Sequence, residues 1–105
     1  MTLKKTRAEK EAKLPRACDY TRAFKKDWRD FSRAGRADMA RLKEVMMLII
    51  ANDAPLPAEW KDHSLTGEWR DFRECHVGGD FLLIYSADAE SVEFTRLGTH
   101  AQLFR

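Results

Sequence analysis

A chain of 105 residues, 34% charged and 44% apolar, has the composition of one soluble globular domain, long enough for a single core and too short for two. The net charge of +2 hides a division: residues 1–50 hold 14 of the 19 Lys and Arg but only 7 of the 17 Asp and Glu, so that half carries +7 and the other −5. Two cysteines 57 residues apart exclude a disulfide framework and a cysteine metal motif, the N-terminus lacks the apolar stretch of a secretory signal, and the longest apolar run, Val45 to Ala51, is too short to span a membrane, so a cytoplasmic protein with reduced Cys18 and Cys75 is expected.

Residues 1–16 are rich in Lys, Glu, Arg and Ala and end at Leu14-Pro15. They read as a charged N-terminal extension, a frayed or transient helix at most, with the domain proper over residues 17–105. Thr21 is placed to cap a helix beginning at Arg22, on which Phe24, Trp28 and Phe31 form one stripe and Lys25, Lys26, Arg29 and Arg33 occupy other faces. Gly35 stops it. A second helix carries Met39, Leu42, Val45, Met46, Ile49 and Ile50 at spacings of three and four and ends near Asn52-Asp53, before Pro55 and Pro57. Methionines on such a stripe read as core filler.

After the prolines the period changes. Trp69 to Val77, Asp80 to Ser86 and Ser91 to Leu97 are short runs rich in Phe, Val, Ile, Tyr and Leu, divided by Gly78-Gly79 and by Ala87 to Glu90. They predict an antiparallel meander. The fold class is therefore α+β: an N-terminal helical hairpin packed on one face of a small, mainly antiparallel, twisted sheet.

All three histidines, His63, His76 and His100, lie in the acidic half, with Asp80 between the last two. Strand alternation puts Phe72, Glu74 and His76 on one face and Arg73, Cys75 and Val77 on the other. A two-residue Gly78-Gly79 loop would pair Val77 with Asp80 and send His76 and Asp80 to opposite faces. A three-residue loop with a bulge would place His76 opposite Asp80, and joint action of the two predicts this longer loop.

Should the set converge, it supplies what metal-free RNA cleavage requires: a base for the ribose 2′-hydroxyl, an acid for the 5′-oxygen, and a cation, for which Arg96 is a candidate, to offset charge on the phosphorane. Phe104 offers either a stacking surface for a base or a core plug. The spacings of 13, 4 and 20 residues match no compact zinc motif. Spacing alone does not separate acid/base chemistry from metal binding, and isolated polar histidines would read the same way. Lys25, Lys26, Arg29 and Arg33 are candidates for a polyanion-facing surface, although a solvated helix face gives the same pattern.

The run from Pro55 through Trp60-Lys61-Asp62-His63-Ser64-Leu65 to Arg73-Glu74-Cys75-His76, followed by Asp80-Phe81-Leu82-Leu83-Ile84-Tyr85 and by Arg96-Leu97-Gly98-Thr99-His100-Ala101-Gln102-Leu103-Phe104, resembles the YafQ branch of the RelE/ParE toxin superfamily. Tyr20 to Asp27 resembles the first helix of that family, and the likeness covers about residues 17 to 104. The resemblance implies a ribosome-dependent mRNA endonuclease, the toxin of a type II toxin–antitoxin pair, cutting mRNA in the ribosomal A site without metal or other cofactor. It implies a DinJ-like antitoxin, with operator DNA reached only through it, and no membrane partner. The family's active-site positions fall on His63, Glu74, His76, Asp80, His100 and Phe104, with Arg96 in the adjoining strand. By the same analogy Asp80 or a neighbouring histidine is the base and His100 the acid, while Lys25, Lys26, Arg29 and Arg33 contact ribosomal RNA. Gly78-Gly79 stands where the family commonly has Glu-Pro, Phe81 where Trp is frequent and Leu97 where Thr is frequent. Two other readings keep the fold: a ParE-like toxin that inhibits by contact alone, and a degenerate toxin surviving as a corepressor with its antitoxin.

Overall fold

Residues 14–104 are described in the computed structural model. Strand β1 (Ala17–Tyr20) leads into helices α1 (Arg22–Ala34) and α2 (Met39–Ala51). Two 3-10 turns, Ala58–Trp60 and Gly67–Trp69, flank the short strand β2 (His63–Ser64). Then come β3 (Arg73–Gly78), β4 (Phe81–Ala87), β5 (Ser91–Gly98) and the single-turn helix α3 (His100–Leu103). The strands form one sheet in the order β1-β5-β4-β3-β2, with β1 parallel to β5 and every other pair antiparallel. No helix among the described residues is long and apolar enough to cross a membrane.

Local chemistry fixes the helical hairpin where the sequence places it. The Thr21 hydroxyl accepts from the Phe24 N–H at 2.9 Å, and Gly35 closes α1 at φ +68° with its N–H on the Phe31 carbonyl. Asp38 caps α2, and Asn52 ends it at φ +58°. One face of each helix then meets one face of the sheet: Phe24 from α1 and Leu42, Val45, Met46 and Ile49 from α2 lie buried against Cys75, Val77, Leu83, Tyr85 and Phe94. Met39 and Met46 belong to this core, whereas Met47 is exposed, so the core-filler reading does not extend to it.

The predicted extension over residues 1–16 falls largely on residues 1–13, outside the described residues. Its last part is integrated into the domain. Arg16 gives its backbone N–H to the Ile50 carbonyl and its guanidinium to the Ile49 carbonyl (2.8 Å), acceptors that the C-terminal end of α2 leaves open, and also to the Asp88 carbonyl (2.7 Å) in the β4–β5 turn. Asn52 reaches the Leu14 carbonyl.

Three features of the sheet depart from the sequence reading. Strand β3 begins at Arg73 rather than Trp69, because Gly67 at φ +64° opens a 3-10 turn through Trp69. Strands β1 and β2, four and two residues long, are too short to show a period. Two bulges also shift the register, one between His76 and Gly78 and one where Ile84 pairs with Arg96 but Tyr85 with Phe94. Each bulge leaves a backbone carbonyl that a helix-side group takes up. The Thr21 hydroxyl donates to the Thr95 carbonyl at 2.7 Å, and Arg41 Nε of α2 donates to the Val77 carbonyl at 2.6 Å.

The cysteines occupy β1 and β3, which are separated by β5 and β4. Three interstrand steps of about 4.8 Å set them far beyond disulfide reach. Cys18 is exposed; Cys75 is buried, and burial pushes its thiol pKa well up. A disulfide-exchange reagent should therefore modify one thiol in the folded protein, and the second only after denaturation. Two fast-reacting native thiols would contradict this packing.

Candidate active site

The face of the sheet turned away from the helices carries the chemistry. Because Cys75 and Val77 point into the helix-side core, Glu74 and His76 point the other way, as alternation predicts. Strand β2 adds His63 beside them, since His63 and Glu74 are Cα partners. The three side chains converge: His63 Nε2 lies 3.6 Å and His76 Nε2 3.4 Å from the same oxygen, Glu74 Oε1, and the two rings are 6.2 Å apart. The Glu74 side chain is only 5% exposed while those of His63 and His76 are 49% and 33% exposed, so two surface imidazoles converge on a buried carboxylate.

The tautomer of His63 follows from its other nitrogen. Nδ1 is 2.7 Å from the Lys61 carbonyl oxygen, which can only accept, so Nδ1 carries the hydrogen. In the neutral ring the lone pair is then on Nε2, as a general base requires.

His100 and Asp80 stand across the same face. Leu82 is the Cα partner of both His76 and Gly98, so β4 separates the triad from the start of α3 by two strand spacings, about 10 Å at the backbone. Thr99 and Gln102 close a reciprocal capping box around α3. A Cβ on Gly98 would meet Gln102 Oε1 at 3.0 Å and Leu103 at 3.1 Å, so the missing side chain lets α3 fold back onto β5. The Asp80 carboxylate accepts from the His100 backbone N–H at 3.2 Å and ties the β3–β4 turn to α3. The ring of Phe104 lies 4.9 Å from that of His100 and 5.7 Å from that of Trp69, which meets Phe72 edge-on at 5.3 Å. These aromatics, over Leu82, Ile84 and Leu103, form a small second core whose edge is His100. Phe72 lies on the face that alternation predicted for it, while the part of Trp69 in this cluster had no signal in the sequence.

The turn that joins the two groups differs from both predicted forms. His76 pairs with Leu82 and Gly78 with Phe81, leaving Gly79-Asp80 as a two-residue loop and Val77 as the extra residue of a bulge. His76 is therefore not opposite Asp80, and the three-residue loop is corrected. A residue extruded before the turn, rather than within it, keeps Val77 in the core and moves Asp80 to the tip. Gly79 sits at φ +53°, a value closed to proline.

Arg96 is engaged elsewhere. Its Nε and Nη2 grip Asp27 of α1 at 2.8 and 3.2 Å, Asp27 also accepts from the Leu97 N–H at 3.0 Å, and this pairing raises the Arg96 pKa. Lys25, Lys26, Arg29 and Arg33 are all exposed on α1, and Lys26 is paired with Asp30 at 2.7 Å. Because α1 packs on the opposite face of the sheet, these cations lie across the sheet from the triad.

His63, Glu74 and His76 together offer three ligand atoms within 4.8 Å of one another, a grouping that spacing along the chain does not reveal. The arrangement can thus serve proton transfer or hold a metal ion. A histidine whose Nδ1 is fixed by a carbonyl is a feature of both.

Comparison with known proteins gives the family. Residues 16–105 match the family described as "Bacterial toxin of type II toxin-antitoxin system, YafQ". The mRNA interferase toxin YafQ of Escherichia coli K12 is 41% identical over 91 residues, covering 87% of this chain and 98% of that protein. The toxin in the solved E. coli DinJ–YafQ toxin–antitoxin complex superposes with a TM-score of 0.80 at 40% identity, over 88% of this chain and 100% of the other. A metal-bound toxin from Helicobacter pylori superposes with a TM-score of 0.73 at 32% identity, over 87% and 100%. With the helical hairpin, the five-stranded sheet and this extent of identity, the chain belongs to the YafQ family of bacterial toxins of type II toxin–antitoxin systems.

Proposed function

We propose that this protein is an mRNA interferase, acting in the cytoplasm on mRNA in the ribosomal A site and silenced by a DinJ-like antitoxin through which it also reaches operator DNA. The observation that carries the reading is the meeting of His63 Nε2 and His76 Nε2 at one oxygen of a buried glutamate, on an open face that also holds His100. A toxin acting by contact alone has no use for this arrangement.

The chemistry is a metal-independent transesterification. His63 Nε2 takes the proton of the ribose 2′-hydroxyl, and the 2′-oxygen attacks phosphorus. The bond to the 5′-oxygen breaks, and His100 protonates that oxygen as it leaves, giving a 2′,3′-cyclic phosphate and a 5′-hydroxyl end. Asp80 is the weaker candidate for base because its carboxylate already accepts from the His100 amide. His76, beside Glu74, offers a ring N–H to the charge that develops on the phosphorane, a part that Arg96 in its pairing with Asp27 is less free to play. Phe104 gives the flanking base a stacking surface. The exposed cations of α1, Lys25, Lys26, Arg29 and Arg33, contact ribosomal RNA.

One observation favours a second reading, a metal-dependent site: the three ligand atoms of His63, Glu74 and His76 lie within 4.8 Å of one another.

Three outcomes are expected. Primer-extension mapping in a purified translation reaction should show cuts that need ribosomes and that fall by about 10²- to 10⁴-fold in His100→Ala. Undiminished growth arrest by that variant, or the absence of cuts from a folded, antitoxin-free protein, would favour the contact-only toxin. Cleavage should persist in excess EDTA after dialysis; loss restored by a transition metal would establish the metal-dependent reading. Replacing Arg29 and Arg33 by alanine should weaken ribosome binding and flatten its salt dependence by about one charge each, while leaving His63 ring signals unchanged.

A further inference from the structure

His63 stands on an edge strand of two residues, with a half-exposed side chain. So short a pairing does little to fix an imidazole. What holds it lies on the opposite face of the sheet. The residues on either side of His63, Asp62 and Ser64, are both bound by one guanidinium: Arg73 Nε and Nη2 donate to Asp62 Oδ2 at 3.0 and 2.7 Å, and Nη1 donates to Ser64 Oγ at 2.7 Å. The second oxygen of Asp62 accepts from the Tyr85 hydroxyl. Ser64, Arg73 and Tyr85 are successive Cα partners across β2, β3 and β4. They form a row one residue out of step with His63, Glu74 and Ile84, whose side chains face the other way.

The clamp is built from durable states. Burial, with the bond to Asp62, raises the Tyr85 pKa, so the hydroxyl keeps its proton to donate. The bond to Asp62 also raises the Arg73 pKa. Immediately before Asp62, Lys61 takes the left-handed conformation, φ +50°, uncommon for a side-chain-bearing residue, and it is the Lys61 carbonyl that receives the His63 Nδ1 hydrogen. The tautomer of His63 thus depends on a backbone conformation whose next residue is tied down at both carboxylate oxygens.

We propose that Arg73, Asp62 and Tyr85 are positioning residues that act through the backbone of residues 61–64 to hold His63 in the Nδ1–H tautomer with Nε2 directed at the reacting groups. The inference rests on the reading of His63 as the base.

The test pairs ring-nitrogen NMR of 15N-histidine-labelled protein with single-turnover cleavage on programmed ribosomes, for wild type, Asp62→Asn, Arg73→Lys and Tyr85→Phe. Lysine keeps the charge of Arg73 but lacks the planar fork whose three nitrogens grip Asp62 and Ser64; Tyr85→Phe removes only the hydroxyl and serves if the other variants fail to fold. The expected result is a shift of neutral His63 toward the Nε2–H form that free imidazole favours, with His76 and His100 signals unmoved. The cleavage rate should fall by up to about 100-fold at unchanged ribosome affinity. A folded variant that keeps the wild-type His63 tautomer overturns the proposal. A shifted tautomer with an undiminished rate leaves the clamp standing and removes His63 as the base.

Discussion

The register of β3 against β4, with its extra residue at Val77, is the constraint on which the site depends. Up to His76 the pairing is regular, so Cys75 enters the helix-side core while Glu74 and His76 face outward. One extruded residue then lets Val77 and Gly78 both oppose Phe81, keeps the apolar side chain buried and brings Asp80 to the tip of the turn, within reach of the His100 amide. The carbonyl released by the bulge has a partner in Arg41. The same guanidinium lies 4.1 Å over the ring of Trp60, just ahead of the segment that carries Asp62 and His63. Helix α2 therefore supports two backbone segments that bear site residues, the bulge after His76 and the approach to His63, although none of its own side chains faces the histidines.

A sheet five strands wide also partitions the molecule. Apolar burial occupies one face, where the aromatic series Tyr20, Phe24 and Phe94 and the pair Phe31 and Phe81 lock the hairpin down. The other face buries less, so its histidines stay open to a substrate over a floor of Leu82, Ile84 and Leu103 with Leu65 and a few aromatics. The exposed cations of α1, Lys25, Lys26, Arg29 and Arg33, thereby form a surface separate from the histidines. Asp27 joins the two sides at the edge where β1 has ended: it holds the backbone N–H of Leu97 and the guanidinium of Arg96, completing hydrogen bonds that a longer β1 would have supplied.

The sequence by itself determined the parts whose cause is local. Thr21, Gly35 and the apolar stripes were sufficient for the helical hairpin, because capping and helical periodicity act within a turn or two. Alternation placed Glu74 and His76 on one face and Cys75 on the other. The order of the motifs from Tyr20 to Phe104 was sufficient for the family. Tertiary structure alone decided the rest, because those features depend on residues distant in the chain. Strands β1 and β2 exist only through pairing with β5 and β3. The bulge at Val77 depends on an arginine 36 residues earlier, and the pairing of Arg96 on an aspartate 69 residues earlier. The meeting of His63 with Glu74, and the grip of Arg73 and Tyr85 on Asp62, are cross-strand relations, and a one-residue change in the register of β2 would send His63 to the face opposite Glu74. Composition and spacing fix which groups are present; the pairing of strands fixes which of them meet.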